Sequence, residues 1–271
     1  MDSLAHVLWI GGPPGAGKST VARVLTRRHG LRWYNSDAHT WEHRDRAVRA
    51  GNPAALRFEA ASPAERAAAS TDEMTAMELP AERRAMIRDD LAALPREPLI
   101  IAEGSVVTPA ITDSGPDSAV WLMLSATVQR QRLEERHRPK PPPRPYLRWR
   151  QIIEDSVDPH DDRVLIVDDL TVDQTVAAIE ARFAARIARG ATAHTRVERK
   201  QLLRYVNRAI VEQCLGWLGR PWTRGSPQTL VREFECECGA SGCDKRVTMR
   251  LSDFPRPSDT DATPVITPGH G

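Results

Sequence analysis

The sequence predicts an α/β fold: a five-stranded parallel sheet covered by helices on both faces. Three observations predict it. Short apolar runs alternate with helix-like segments along the first 190 residues. Those runs are continuous rather than alternating, as in strands buried on both faces. The first run leads straight into a glycine-rich loop and then a helical pattern.

The elements follow in order. Residues 7–10, Val-Leu-Trp-Ile, read as the first strand, and 31–34 as a second. Residues 99–102, 120–124 and 164–167 read as the third, fourth and fifth. Residues 19–29, 128–138 and 172–189 read as helices, the last with Val172, Val176, Ile179 and Phe183 at helical spacing. The alternation implies right-handed crossovers between parallel strands. Residues 40–95 break it. They are rich in Ala, Glu and Arg, are punctuated by Pro63, Pro80 and Pro95, and predict an insertion of two helices. Residues 139–145, Pro-Lys-Pro-Pro-Pro-Arg-Pro, predict an extended surface loop, because proline lacks the backbone donor.

After Gly190 the character changes. Residues 197–218 predict one amphipathic helix, with Leu202, Val206, Ile210 and Cys214 four apart. Residues 234–251 predict a two-stranded hairpin around Gly-Ala-Ser-Gly. Residues 255–271, rich in Pro, Thr, Asp and Gly, offer little to bury and predict a disordered tail. The organisation expected is therefore a main domain at 1–190 and a small α+β appendage at 191–254, followed by the tail.

Composition narrows the function classes. Apolar residues are 41% and charged residues 27% of 271, an ordinary globular balance. No apolar run nears the ~20 residues of a membrane-spanning helix, and no secretory signal is visible, so a cytoplasmic protein is expected. The net charge of +2 gives little global attraction to nucleic acid or anionic membrane. Four cysteines are too few for a disulfide scaffold. Only four lysines accompany the many arginines, so Lys18 stands out.

Gly12-Pro13-Pro14-Gly15-Ala16-Gly17-Lys18-Ser19-Thr20 matches G-x-x-x-x-G-K-[ST], with strand before and helix after. Such glycines let consecutive backbone N–H groups turn toward one phosphate, and the helix adds its positive end. Lys18 then reaches the β- and γ-phosphates, and Ser19 offers its hydroxyl to Mg²⁺. The expected fold becomes a three-layer P-loop α/β/α architecture binding ATP with Mg²⁺.

This loop resembles that of the nucleoside-monophosphate-kinase-like group, which includes shikimate, gluconate and chloramphenicol kinases. Four further segments agree in order: Asn35-Ser36-Asp37, Ala102-Glu103-Gly104, Arg132-Leu133-Glu134-Glu135-Arg136, and 167–173. The resemblance spans about residues 5–188 and implies an ATP-dependent kinase with a helical acceptor-side insertion at 40–95 and a lid at 130–150. It places Asp37 at the acceptor hydroxyl and Glu103 near Mg²⁺ or as the base itself. It makes Arg136 and Arg138 the lid arginines on the transferring phosphoryl group. Glu103 stands where a standard Walker B motif has Asp. No N-K-x-D motif occurs, which disfavours a regulatory GTPase.

The residues themselves leave alternatives open. Asp37 also suits a helix N-cap for 38–48, and Glu103 a structural ion pair. Residues 130–150 carry eight basic side chains against Glu134 and Glu135, which suits either a phosphoryl clamp or a solvated helix. Trp33, Trp41, His39 and His43 flank Asp37 and suit either an acceptor pocket or core packing. Cys236, Cys238 and Cys243 form C-x-C-x₄-C and could share Zn²⁺, but a fourth ligand is not evident, His194 and His270 being remote in sequence. Cys214 reads as core. The function expected is phosphoryl transfer to a small hydroxyl- or phosphate-bearing metabolite, nucleotide or drug. The second class is an ATP-binding regulatory protein whose cysteine-containing tail binds a partner. A polynucleotide-end kinase lies between the two. The acceptor, the preference for ATP over GTP and the oligomeric state are not legible in the sequence.

Overall fold

The computed structural model describes residues 4–112, 115, 117–255 and 263–270. They form a parallel sheet in the order β2-β3-β1-β4-β5 and a separate antiparallel pair, β6-β7. The five sheet strands are β1 (Val7–Gly11), β2 (Arg32–Asn35), β3 (Ile100–Glu103), β4 (Ala119–Met123) and β5 (Val164–Ile166). Every residue of β1, β3 and β4 is buried. That is why these strands read as continuous apolar runs: both sheet faces are covered. Ile10 pairs with Glu103 on one side and Val120 on the other, so β1 lies at the centre.

One face carries α1 (Lys18–His29), α9 (Val172–Arg189) and α10 (Arg196–Leu218), built around Leu8, Leu25, Ile179 and Phe183. The other face buries Trp9, Tyr34, Ile87, Trp121 and Trp149. Ile87 and Trp149 come from α6 (Pro80–Ala93) and α8 (Arg144–Glu154). The chain enters α9 and α10 through capping boxes, Thr171 with Gln174 and Thr195 with Glu198.

The insertion holds more than the two helices expected. Between β2 and β3 run a 3₁₀ turn (Ser36–His39), α2 (Thr40–Arg49), α3 (Pro53–Ala60), α4 (Pro63–Ala68), α5 (Thr71–Ala76) and then α6. Ser62 with Glu65 and Ser70 with Glu73 form capping boxes that start separate short helices, so the insertion is divided more finely than into the two expected. The proline stretch also differs from expectation at its end. After α7 (Ala126–His137) a turn at 138–140 leads into an irregular stretch that runs only to Pro143, and Arg144-Pro145 open α8. Proline is tolerated there because the first turn's N–H groups have no helical partner. Arg144 ties α8 to the insertion by donating to the Ala67 and Ala69 carbonyls, each at 2.9 Å.

The hairpin of β6 (Val231–Glu235) and β7 (Arg246–Arg250) packs against α1 and α10. Glu235 accepts from Arg23 Nε at 2.7 Å and from Arg27 Nη2 at 2.7 Å. Buried Asn207 on α10 donates to the Glu235 carbonyl and accepts the Glu235 N–H. Part of the segment expected to be disordered is packed here. Val265 is buried, its carbonyl accepting from Glu237 N–H at 2.7 Å and its N–H donating to the Glu237 carboxylate at 3.0 Å. Residues 256–262 and 271 of that expectation lie outside the described residues.

The Glu235 cluster supports a stability prediction. Glu235→Ala leaves the Arg23 and Arg27 guanidiniums facing one another with no carboxylate, and Arg27 is buried. Removing one partner of a buried pair typically costs ~3–5 kcal/mol. A urea unfolding series should show that loss, whereas Glu233→Ala on the exposed side of the strand should change the midpoint little.

Candidate functional site

The carboxyl ends of β1, β2 and β3 open onto one cleft of about 790 Å³. Ligands in open α/β sheets bind at this edge. Pro14, Gly15, Gly17, Lys18, Ser19 and Thr20 form one wall. Gly12 itself has no room for a side chain. Its φ is +135°, and a Cβ there would stand 2.2 Å from the Leu122 carbonyl oxygen. The loop is therefore pressed against β4. Gly17 caps α1 in the left-handed conformation, so the positive end of that helix meets the same space.

Lys18 is buried, and its ammonium donates to the Pro13 carbonyl at 3.0 Å and Ser105 Oγ at 3.4 Å. Burial lowers its pKa, the charges of Glu103 and Asp37 oppose that shift, and Arg136 adds to it. Glu103 ends β3 with no solvent exposure. Trp33 Nε1 donates to its Oε1 at 3.4 Å, while Oε2 has no hydrogen-bond partner among the described residues. Burial first, and then the charge of Asp37, push its pKa up to about 7 against the pull of Lys18 and Ser19. Glu103 does not itself line the cleft, but a buried carboxyl so perturbed beside the P-loop lysine marks a candidate functional residue.

Asp37 lies in the cleft wall and is exposed. Its backbone N–H is capped by Asn35 Oδ1 at 2.9 Å. The following α2 takes no side-chain cap. The Asp37 carboxylate thus makes none of the N-cap bonds that were its alternative reading. Gly104 leaves room for the Ser36-Asp37 turn beside the end of β3. A Cβ on Gly104 would stand 1.8 Å from Ser36 Oγ and 3.6 Å from Asp37 Oδ1, and the φ of +153° favours glycine.

The lid arginines separate. Arg136 lines the cleft, joined by Arg132, which donates to the Val167 carbonyl at 2.9 Å. Arg138 does not line it. It is the exposed residue that ends α7. The flanking aromatic residues separate too. Trp33 and Trp41 line the cleft. His39 stacks on Tyr34 at 4.7 Å, and His43 bonds Asp90 at 2.7 Å, so both serve packing.

Several cleft residues carried no sequence signal. Buried Arg44 stacks over Phe58 at 3.8 Å and donates to the Met77 carbonyl, leaving Nε and Nη1 without partners among the described residues. Buried Arg83 donates to the Ser36 carbonyl at 2.8 Å, leaving Nε without a partner among the described residues. Glu78, its pKa raised by burial, accepts from Trp149 Nε1. Arg246, from the hairpin, lines the same cleft. The two buried arginines come from a helical insertion with no motif, and only its fold brings them to the cleft.

Cys236, Cys238 and Cys243 converge in the loop between β6 and β7, all buried and unbridged. The sequence reading left their fourth neighbour open; the fold supplies His270. Cys214 is buried with Phe234 and Phe254, as a core residue.

Among the described residues no helix is long and apolar enough to cross a membrane. No family model and no curated protein matches the chain. The chain is similar to a gluconokinase from Sinorhizobium meliloti 1021, at 18% identity and TM-score 0.42, covering 68% of this chain and 95% of that one. It is also similar to a sugar kinase from a Janibacter species, at 16% identity and TM-score 0.38, with 69% and 98% covered. A Thermus thermophilus structure matches at 18% identity and TM-score 0.38, over 65% and 96%.

Proposed function

We propose that the protein is an ATP-dependent phosphotransferase acting on a small hydroxyl- or phosphate-bearing acceptor. One observation carries the reading: the P-loop lysine, Asp37 and the lid residues Arg132 and Arg136 line one cleft with a helical insertion, and the buried Glu103 carboxylate acts on that lysine. The loop N–H groups and Lys18 hold the triphosphate. Ser19 and the unpartnered oxygen of Glu103 are the donors that fit Mg²⁺, which when bound neutralises the β- and γ-phosphate charge. Asp37 orients the acceptor hydroxyl and takes its proton. Arg136, and Arg132 beside it, stabilise the spreading negative charge of the transferring group. Arg144 holds α8 on the insertion, which encloses the site and excludes water.

The acceptor end has a distinct chemistry. Trp41, Phe58, Met74 and Met77 form an apolar surface, and Arg44 and Arg83 line the cleft beside it, each with buried N–H groups that have no partner among the described residues. Buried donors without partners are costly, and an anionic group on the acceptor would satisfy them. The acceptor class that fits joins an apolar or aromatic body to a carboxylate or phosphate.

The test is acceptor-stimulated ADP release across matched pairs, each an anionic compound and its neutral ester or amide. Stimulation by anionic members above neutral ones supports the acceptor class. Tight ATP binding with no stimulation by any compound would favour a nucleotide sensor instead.

A further inference from the structure

The loop between β6 and β7 carries three buried thiols, and the C-terminal segment lays one imidazole against them. His270 Nδ1 lies 3.4 Å from Cys243 Sγ and 3.7 Å from Cys236 Sγ. The four ligand atoms of Cys236, Cys238, Cys243 and His270 all lie within 4.8 Å of one another. Tetrahedral Zn²⁺, with bonds of ~2.3 Å to sulfur and ~2.0 Å to nitrogen, has S···N edges of about 3.5 Å and S···S edges of about 3.8 Å. The observed S···N separations bracket that value. The Thr267 N–H donates to Cys236 Sγ at 3.4 Å, a bond that a thiolate accepts better than a thiol.

The donor set selects the metal. Three thiolates and an imidazole suit Zn²⁺ and exclude the oxygen-seeking Mg²⁺ and Ca²⁺. Four protein ligands close the shell, which is the pattern of structural rather than catalytic zinc. We propose that Cys236, Cys238, Cys243 and His270 form a structural Zn²⁺ site that clamps the C-terminal segment to the hairpin.

The surroundings show what the clamp holds. On one side of the loop, Glu235 grips Arg23 and Arg27 of the helix that follows the P-loop. Next to it, Glu237 ion-pairs with Arg204 of α10 at 2.6 Å and binds Val265 of the C-terminal segment. On the other side, Arg246 lines the nucleotide cleft. The metal therefore fixes the one loop that joins the hairpin's two anchors to its cleft arginine. The site stands apart from the catalytic reading, and its test does not depend on activity.

The test is metal content and cobalt spectroscopy on the full-length protein, purified under reducing conditions without chelator. Elemental analysis should find zinc at one equivalent per chain, unchanged in Cys214→Ser, whose thiol lies outside the cluster. Replacement by Co²⁺ should give thiolate-to-cobalt charge-transfer bands and the strong d–d absorption of a tetrahedral site. His270→Ala, which alters no core residue, should keep the fold and weaken the metal. The loss should exceed the ~10–100-fold typical of losing a group that only hydrogen-bonds a ligand. Chelation should lower the melting temperature of wild type and leave that of Cys243→Ser unchanged. Folded protein that holds no zinc and gives no cobalt spectrum under excess Co²⁺ would overturn the site. So would a His270→Ala variant with wild-type metal affinity and an unaltered cobalt spectrum.

Discussion

Lys18→Ala is expected to lower turnover by at least ~10²–10³-fold, the usual cost of removing one preorganised donor from developing charge. Lys18 is the one cation of the P-loop wall, and its ammonium now rests on the Pro13 carbonyl and Ser105 rather than on a carboxylate. Those are weak partners that a triphosphate displaces. Burial already holds its pKa below the usual lysine value, so the fold does not depend on the charge. The melting temperature of Lys18→Ala should therefore stay near wild type. Calorimetric titration should show weakened ATP binding beside the lost turnover. Lys18→Arg should fail as well, because a planar guanidinium does not fit a nest shaped for a compact ammonium. A variant with wild-type ATP affinity and turnover would remove the P-loop from the mechanism.

The P-loop was legible because its chemistry is consecutive in sequence. Nine adjacent residues make the nest, the cation and the hydroxyl, and the flanking strand and helix announce themselves by periodicity. The strands were legible for a related reason. Burial on both faces leaves β1 and β4 no polar position to fill, and β3 only Glu103 at its end. The insertion was legible as helical but not in its divisions, although Ser62–Glu65 and Ser70–Glu73 are the S-x-x-E marks of helix starts. What stayed hidden depends on distant contacts. Arg44 and Arg83 enter the cleft only because α2 and α6 fold across β2. His270 meets the cysteines only because Val265 and Glu237 pair backbone and side chain to bring the last residues back. A polar, proline-rich composition gives no hint of that return. Arg138, placed in the lid by order along the chain, is not among the residues that line the cleft, whereas Arg136, two residues earlier, is.

Asp37→Asn and Glu103→Gln should separate the roles of the two carboxylates. Asp37 is exposed in the cleft and precedes the insertion directly. Its amide variant should bind ATP with Mg²⁺ nearly as wild type while turnover falls ~10²–10⁴-fold, the typical value of a positioned acid–base group. Glu103 is fully buried behind Lys18, with one oxygen unpartnered. Its amide variant should raise the Mg²⁺ concentration needed for half-maximal rate. It should also gain stability, because burial and Asp37 disfavour the charge that glutamine lacks. The pH dependence follows from the sign of that shift. The folded carboxyl binds its proton up to about pH 7, whereas an unperturbed one releases it near 4.5. Between those values the native state holds more protons than the unfolded chain, so this group's contribution to stability falls as pH rises. The melting-temperature advantage of Glu103→Gln over wild type should accordingly grow from pH 4.5 to 7 and level off above it. A constant difference across that range would mean that Glu103 titrates as an ordinary carboxylate. A turnover loss below tenfold in both variants would remove both carboxylates from the chemistry, since losing one acid–base group typically costs ~10²–10⁴-fold. If instead Glu103→Gln abolishes turnover at saturating Mg²⁺ and Asp37→Asn only shifts the metal requirement, the two roles are exchanged. Glu103 then takes the proton, its raised pKa suiting a base that works near neutrality.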